Sequence, residues 1–132
     1  MAVEMVKTLR LFHHTTKYGA KGILKSGCIK ASPVKKIDAV YGVYMTRLGP
    51  EKNQEEIAWN NYNDKPIGIA NKMLKAGKTD AIIAIDIPKR QCNKIESDRD
   101  IYVVSGNVTI ADKNPKIYFR DKDGKAEEYK PS

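Results

Sequence analysis

The sequence predicts a single α+β domain, in which a few short helices pack against mixed or antiparallel sheets. Helical periodicity is confined to about the first 76 residues, whereas most strand-like runs follow residue 79. The run Thr79–Pro88 is almost entirely apolar, as expected for a strand that is covered on both faces. A chain of 132 residues has room for one hydrophobic core, so we expect residues 1–132 to form one domain.

A strand is predicted at Val3–His14, followed by a helix that either of the next two threonines can cap. The helix should end at Gly27, because a glycine in the left-handed conformation commonly stops a helix. Gly19 and Gly22 would each destabilise this helix by about 1 kcal/mol relative to alanine. Two such glycines in one turn indicate the close approach of backbone or ligand. The apolar face of the helix comprises Ala20, Ile23, Leu24 and Cys28.

The next segment of the chain is predicted to be rich in strands. A short strand in residues 28–33 should end at Pro33, and residues 34–41 should form a loop. A second strand is predicted at 41–46. It contains Gly42, and a glycine inside a strand is typical of a bulge or of close backbone approach.

The chain after Pro50 is predicted to hold two more helices and most of the strands. One helix begins after Pro50, with acidic residues in its first turn, and another covers Ile67–Ala76. The polar stretch Lys89–Arg99 is expected to be a loop. The last twelve residues, 121–132, are polar and expected to fray. The remaining strands are predicted at Asp100–Gly106, Asn107–Ala111 and Lys116–Arg120.

The composition favours an anionic partner. Lysine and arginine number 24 against 16 aspartate and glutamate, giving a net charge of +8, which suits nucleic acid, a phosphate-bearing cofactor or an acidic protein surface. The lysines are scattered, so no nucleic-acid-binding tail is indicated. No apolar run approaches about 18 residues, and Glu4 and Lys7 interrupt the N-terminal apolar stretch. We therefore expect a cytoplasmic monomer without a membrane span or signal peptide.

Cysteine and histidine give no indication of a metal site. Cys28 and Cys92 are too few for a disulfide scaffold, so we expect reduced thiols, with one bridge as the alternative. The only two histidines, His13 and His14, are adjacent, and neighbours on a strand point to opposite faces. No further clustered nitrogen or sulfur ligands accompany them, so we expect no bound metal. Glycine-rich phosphate loops and paired-carboxylate motifs are also absent from the sequence.

The order of several short motifs resembles a known enzyme family. The stretch LFHHTT leads into a short helix, CIKAS leads to YGVYMT, and DRDIYVV follows much later. This order is similar to that of ADP-ribosyltransferases of the diphtheria-toxin and poly(ADP-ribose) polymerase branch. It is most similar to a small family with a His-Tyr-Asp signature. The likeness covers residues 9–50 well and 79–110 loosely, whereas 51–78 and the C-terminal tail match no motif of the family. The resemblance implies an ADP-ribosyltransferase-like domain.

The resemblance implies roles for individual residues. His13 stands where the family's histidine hydrogen-bonds a ribose hydroxyl of NAD, and His14 stands where the backbone holds the nicotinamide carboxamide. Thr15 matches the serine or threonine that follows. Tyr44 matches the tyrosine that stacks on nicotinamide, and Asp100 matches the catalytic acid, which is glutamate in better-known members.

Three further residues are candidates by position. Asp98 is a rival for the acid, because it would lie two residues before Asp100 on the same strand face. In another branch of these transferases an acid at that spacing selects arginine acceptors. Trp59 or Tyr62 could form a second aromatic wall for nicotinamide, with packing on a helix as the alternative.

These residue types suit the cleavage of NAD. Loss of neutral nicotinamide leaves an oxocarbenium-like ribose, which a fixed carboxylate stabilises. A tyrosine ring offers stacking and cation–π attraction to the pyridinium, and a histidine N–H can donate to a ribose hydroxyl.

The resemblance therefore implies transfer of ADP-ribose from NAD to a protein or nucleic-acid acceptor, with NAD hydrolysis as a side or main activity. Whether the enzyme is a toxin or a cellular protein stays open. One alternative is an RNA 2′-phosphotransferase-like enzyme of related fold, which would need additional arginines around a phosphate. Others are a non-catalytic basic module that binds nucleic acid and an inactive relative that binds NAD or a partner.

Overall fold

The computed structural model of the protein describes residues 7–31, 42–62, 67–95 and 98–130, which contain three α-helices and nine β-strands. All the strand pairs in these ranges are antiparallel, and the predicted α+β class is confirmed. The helices are α1 (Lys17–Ser26), α2 (Gln54–Tyr62) and α3 (Ile69–Lys75). The strands are β1 (Thr8–Thr15), β2 (Cys28–Ile29), β3 (Gly42–Met45), β4 (Ala81–Pro88), β5 (Asn93–Lys94), β6 (Tyr102–Ser105), β7 (Val108–Thr109), β8 (Lys116–Arg120) and β9 (Ala126–Glu128).

The strands form three antiparallel sheets. The largest has the order β1-β4-β8-β9, and the others have the orders β3-β6-β5 and β2-β7. β1 pairs with β4 over its whole length, from Thr8 opposite Pro88 to Thr15 opposite Ala81. Residues 81–85 of β4 are buried on both faces of the strand, as the apolar run Thr79–Pro88 predicted, whereas Asp86 and Pro88 are partly exposed. β1 is therefore held rigidly against the most buried strand of the protein.

One hydrophobic core joins all three sheets to α1. Ala20 on α1 is completely buried, and the partly buried side chains of Ile23 and Leu24 pack against the same cluster. The helical spacing of these residues, read from the sequence, therefore marks the face that contacts the core. The strand residues of the core include Leu11, Ile29, Val43, Met45, Ile83, Ile85, Ile87, Val104, Val108 and Ile117.

The ends of α1 follow the predicted capping pattern. The side chain of Thr16 accepts a hydrogen bond from the Gly19 N–H at 2.9 Å, which satisfies one of the unpaired donors of the first turn. Gly27 closes the helix in the left-handed conformation, with φ 73°. A Cβ on Gly19 would lie 2.7 Å from the hydroxyl of Thr15, whereas one on Gly22 would meet nothing within 4 Å. A close approach therefore occurs at Gly19 only, and it is made by a threonine side chain rather than by the backbone or ligand that the sequence predicted.

Several predicted boundaries are wrong. β6 begins at Tyr102, so the segment before it is not a strand. The polar stretch Lys89–Arg99 contains a 3-10 turn and β5 rather than loop alone. The tail predicted to fray forms β9, which pairs with β8. The strand predicted at 28–33 ends at Ile29. Pro33, the loop 34–41 and the first six residues lie outside the described residues.

The described ranges also bear on membrane, disulfide and metal predictions. None of their helices is long and apolar enough to cross a membrane. Cys28 and Cys92 are free and half-buried, so the alternative disulfide bridge does not form. Within the same ranges, no three His, Cys, Asp or Glu side chains come together as a metal site would require.

Candidate functional site

The candidate site lies where β1 of the four-stranded sheet meets β3 of the three-stranded sheet. Phe12 and Thr46 form an isolated antiparallel bridge there, with N···O distances of 2.8 and 3.0 Å. The next pair along the strands would be His14 and Tyr44, but no backbone hydrogen bonds join these two described residues. Beyond the bridge, β1 and β3 are therefore not joined by backbone hydrogen bonds between these residues. We call the region between the two strands at His13, His14 and Tyr44 the β1–β3 wedge.

The ring of His13 contacts the opposite strand of the wedge. Its Nδ1 lies 3.1 Å from the carbonyl oxygen of Tyr44, and because a carbonyl only accepts, Nδ1 carries the proton. Burial lowers the pKa of His13, and this outweighs the opposite effect of the bond to Tyr44. The ring is therefore neutral near pH 7, and Nε2 is a hydrogen-bond acceptor. The ring can therefore accept a hydrogen bond from a hydroxyl group at Nε2 but has no further N–H to donate, which differs from the donor role expected from the sequence.

The ring of His14 has a structural partner. Its Nε2–H donates to the carbonyl of Leu48 at 2.8 Å, and the residue is 9% exposed. Its pKa is lowered to about 4, chiefly by burial; the bond to Leu48 opposes this shift, and the nearby Arg120 and His13 add to it. Its Nδ1 is buried without a hydrogen-bond partner among the described residues. Since the two histidines are consecutive in β1, their rings leave opposite faces of the strand.

The backbone of His14 is oriented differently from its ring. Residues two apart on a strand direct their N–H and C=O groups to the same edge, and those of Phe12 face β3. The N–H and C=O of His14 thus also face β3, beyond the bridge. Neither has a backbone partner on that edge in the described chain. One donor and one acceptor of a single residue therefore point into the β1–β3 wedge.

Thr15 and Tyr44 lie at the sides of the wedge. Thr15 is the last residue of β1, opposite Ala81, and its hydroxyl is the atom nearest to where a Cβ on Gly19 would lie. Tyr44 is half-buried and pairs with Val103 of β6. A Cβ on Gly42 would lie 2.5 Å from the Val104 carbonyl, so the predicted close backbone approach is confirmed. This tight contact fixes β3 against β6 two residues before Tyr44.

Asp100 reaches the same junction through the residues that follow β3. Its Oδ1 accepts from the Thr46 hydroxyl at 3.2 Å and from the Arg47 N–H at 2.8 Å, and its Oδ2 accepts from Arg47 Nε at 2.8 Å. The Thr46 hydroxyl in turn accepts from the N–H of Leu48, whose carbonyl holds His14. Hydrogen bonds thus connect Asp100 with His14 rather than with His13.

The carboxylate of Asp100 is ionised and almost fully coordinated. Burial raises its pKa, but the hydrogen bonds and charge of Arg47, together with the Thr46 hydroxyl, outweigh burial and lower it overall. Two oxygens offer about four lone-pair positions, of which three are occupied. The side chain is 16% exposed, and Oδ2 keeps one position for an additional hydroxyl donor.

Asn60 of α2 fixes the backbone of Asp100, a role that no sequence motif indicated. Its Oδ1 accepts from the Asp100 N–H at 2.8 Å, and its Nδ2 donates to the Asp100 carbonyl at 2.9 Å. The same Nδ2 lies 3.3 Å from the Thr46 hydroxyl. An asparagine on a helix gives no signal of such a contact, because the partners are about 14 and 40 residues away in the sequence.

Asp98 is not placed as predicted. It lies in an exposed bend, and because β6 begins only at Tyr102, Asp98 and Asp100 do not share a strand face. Between them, Arg99 donates to the carbonyls of Asn60 and Asn61 at the end of α2. The chain therefore turns at this point, and Asp98 is on the solvent side.

The two aromatic candidates on α2 also differ in position. Trp59 is 58% exposed and lines a groove of about 330 Å³ that is formed by α2 and by residues 67–74, not by β1 or β3. Tyr62 is half-buried at the end of α2, and burial raises its pKa. The structure thus places Trp59 on a different surface from the β1–β3 wedge.

Comparison with protein-family models, curated proteins and solved structures finds no match to this chain.

Proposed function

We propose that this chain is an NAD-dependent ADP-ribosyltransferase that hydrolyses NAD when no acceptor is bound. The observation that carries the proposal is the pair of backbone groups of His14 in the β1–β3 wedge. A nicotinamide carboxamide has one carbonyl acceptor and one NH₂ donor, so it is complementary to one backbone N–H and one backbone C=O. Two such bonds would fix the orientation of the nicotinamide ring.

The neighbouring side chains suit the rest of the nicotinamide riboside. Tyr44 lies on the facing strand of the wedge and offers an aromatic ring for stacking on the pyridinium. The neutral ring of His13 offers Nε2 as an acceptor for a ribose hydroxyl, while Nδ1 stays bound to Tyr44. Because the Tyr44 carbonyl orients the His13 ring, this acceptor is preorganised before substrate arrives.

Asp100 is the group that stabilises the transition state. When the bond between nicotinamide and the anomeric carbon breaks, its electron pair leaves with nicotinamide and positive charge develops on the ribose. A carboxylate held by Thr46 and Arg47 can stabilise this charge and accept from the 2′-hydroxyl. The acceptor nucleophile, or water, then bonds to the anomeric carbon and loses its proton.

The ion pair with Arg47 does not prevent this role. The Arg47 side chain is 57% exposed, whereas that of Asp100 is 16% exposed. The guanidinium can therefore move out into solvent, while Asp100 keeps its bonds to the Arg47 N–H and the Thr46 hydroxyl.

The test compares Asp100→Asn with Asp98→Asn, which makes the same change of charge two residues away on an exposed bend. The protein is incubated with NAD, with and without protein and nucleic-acid acceptors, and released nicotinamide is measured. We expect Asp100→Asn to lower turnover by about 100-fold or more and Asp98→Asn to leave it close to the original rate. Thermal denaturation checks that Asp100→Asn still folds.

Three results would contradict the proposal or one of its assignments. If only Asp98→Asn lost turnover, Asp98 and not Asp100 would be the catalytic carboxylate. Equal turnover in both variants and the original protein would exclude Asp100. The absence of nicotinamide release with every acceptor, together with no NAD binding by calorimetry, would refute the function itself.

A further inference from the structure

The outward face of α1 has a chemistry that the proposed function does not use. Successive residues of a helix are about 100° apart around its axis. Five residues of α1 that are neighbours around the axis, though not along the sequence, therefore cover roughly 140° of its circumference. All five are exposed, and we call them the lysine–tyrosine face. They are Lys17, Lys21, Lys25, Tyr18 and Gly22.

The three lysines form an uncompensated row. They lie four residues apart, so their side chains follow one line along about 12 Å of helix. α1 contains no acidic residue, and within the described chain none of the three takes part in an ion pair. Lys17 additionally lies 5.9 Å from the ring centroid of Phe119. The row therefore presents positive charge to solvent at a spacing that suits a linear polyanion.

Tyr18 and Gly22 stand beside this row, one helical turn apart. Tyr18 is 90% exposed, so its ring does not contribute to the core. Gly22 lies in the interior of the helix, where glycine is about 1 kcal/mol less favourable than alanine. A Cβ there would meet nothing within 4 Å, so no contact inside the described protein requires glycine. An exposed ring next to a position without a side chain leaves a flat surface for a planar group.

We propose that the lysine–tyrosine face binds single-stranded nucleic acid. The phosphates would lie along the lysine row, and a base would stack on Tyr18 with its sugar against Gly22. A polyanion without bases would contact the lysines but would have no group to place against Tyr18 and Gly22. The inference goes beyond ADP-ribosyl transfer and does not rest on it, because binding needs neither NAD nor the β1–β3 wedge.

The test measures binding of fluorescently labelled RNA and DNA dodecamers, without NAD, as a function of salt. For three lysine contacts, the slope of log K against log salt should be near −2. The triple variant Lys17→Ala, Lys21→Ala, Lys25→Ala should abolish most of this slope. The matched control, Lys72→Ala, Lys75→Ala, Lys78→Ala, removes the same charge from exposed positions around the end of α3 and should leave the slope unchanged.

Two further variants separate nucleic acid from polyanions in general. Tyr18→Ala should weaken oligonucleotide binding by about fivefold or more while leaving binding of polyphosphate unchanged. Gly22→Gln should also weaken oligonucleotide binding, although it should raise the melting temperature of the protein.

Four results would overturn the inference. They are failure of both dodecamers to bind at low salt, equal effects of the two triple variants, oligonucleotide binding that is indifferent to Tyr18→Ala, and binding to anionic phospholipid vesicles but not to oligonucleotides.

Discussion

At the scale of single residues, the adjacent histidines divide into a ligand candidate and a structural residue. We expect His13→Ala to lower kcat/KM for NAD by about tenfold or more, because the variant removes the Nε2 acceptor. His14→Ala keeps the backbone groups that would hold the carboxamide. It removes a buried ring together with its hydrogen bond to the Leu48 carbonyl, and it should lower the free energy of unfolding by about 1–3 kcal/mol.

Steady-state NAD hydrolysis and chemical denaturation of the two variants check this division. The activity of His14→Ala must be measured well below its melting temperature, so that a loss of folded protein is not mistaken for a loss of catalysis. An equal fall in kcat/KM in both variants, at full folding, would mean that the ring of His14 also contacts the substrate.

The buried His14 should also make stability depend on pH. Its pKa is about 4 in the folded protein and about 6.5 in the unfolded chain, so between these values the unfolded chain binds more protons. Stability should therefore be complete above pH 6.5 and fall as pH decreases towards 4, by on the order of 3 kcal/mol in total. The lowered pKa of His13 acts in the same direction.

Urea denaturation at a series of pH values between 4 and 7 measures this effect. His14→Gln is the control, because its amide can still donate to the Leu48 carbonyl but does not titrate. It should flatten the pH profile while leaving the contribution of His13. A profile that is as steep in His14→Gln as in the original protein would assign the effect to other groups.

At the scale of elements, glycine positions show which contacts the sequence can and cannot reveal. Gly42 and Gly22 were both notable in the sequence, yet a Cβ added at Gly42 would lie 2.5 Å from the Val104 carbonyl oxygen, whereas one added at Gly22 would meet nothing within 4 Å. Gly42→Ala should therefore destabilise the pairing of β3 with β6 by about 1–3 kcal/mol. The same substitution at Gly22 should stabilise α1 by about 0.5–1 kcal/mol.

Thermal denaturation of the two alanine variants gives the comparison directly. The same methyl group is added in each case, so a difference in sign reports the surroundings of the glycine and not its intrinsic helix or strand preference. If Gly22→Ala also lowered the melting temperature, the outward face of α1 would be in contact with some other part of the protein.

Elements with a local signal were predictable from the sequence. The cap at Thr16, the stop at Gly27 and the apolar strand β4 depend on residues close together in the chain, and all are present. The surroundings of Asp100 were not predictable, because Asn60 and Thr46 come from other elements. The position of Asp98 was wrong for a related reason, since the bend before β6 contains no proline or glycine that would mark it.

At the scale of the whole molecule, the C-terminal hairpin shows how burial overrides local polarity. Arg120 is 3% exposed, and its guanidinium donates to the carbonyls of Gly124 and Lys52. It therefore connects the turn after β8 with the segment before α2. The sequence predicted a strand up to Arg120 but fraying of residues 121–132, because polar residues near a chain terminus are usually poorly ordered.

The last prediction concerns what holds this hairpin to the molecule. The ring of Tyr129 stacks on that of Phe119, with centroids 4.3 Å apart, and the Tyr129 N–H donates to the Ile117 carbonyl. Tyr129→Ala should lower the free energy of unfolding by about 1–3 kcal/mol, since it removes both apolar burial and aromatic stacking. Tyr18→Ala is the matched control, because the same truncation at a 90% exposed side chain should change stability by less than about 0.5 kcal/mol. Chemical denaturation of both variants checks the difference, and equal stabilities would show that the Tyr129 ring does not stabilise the core.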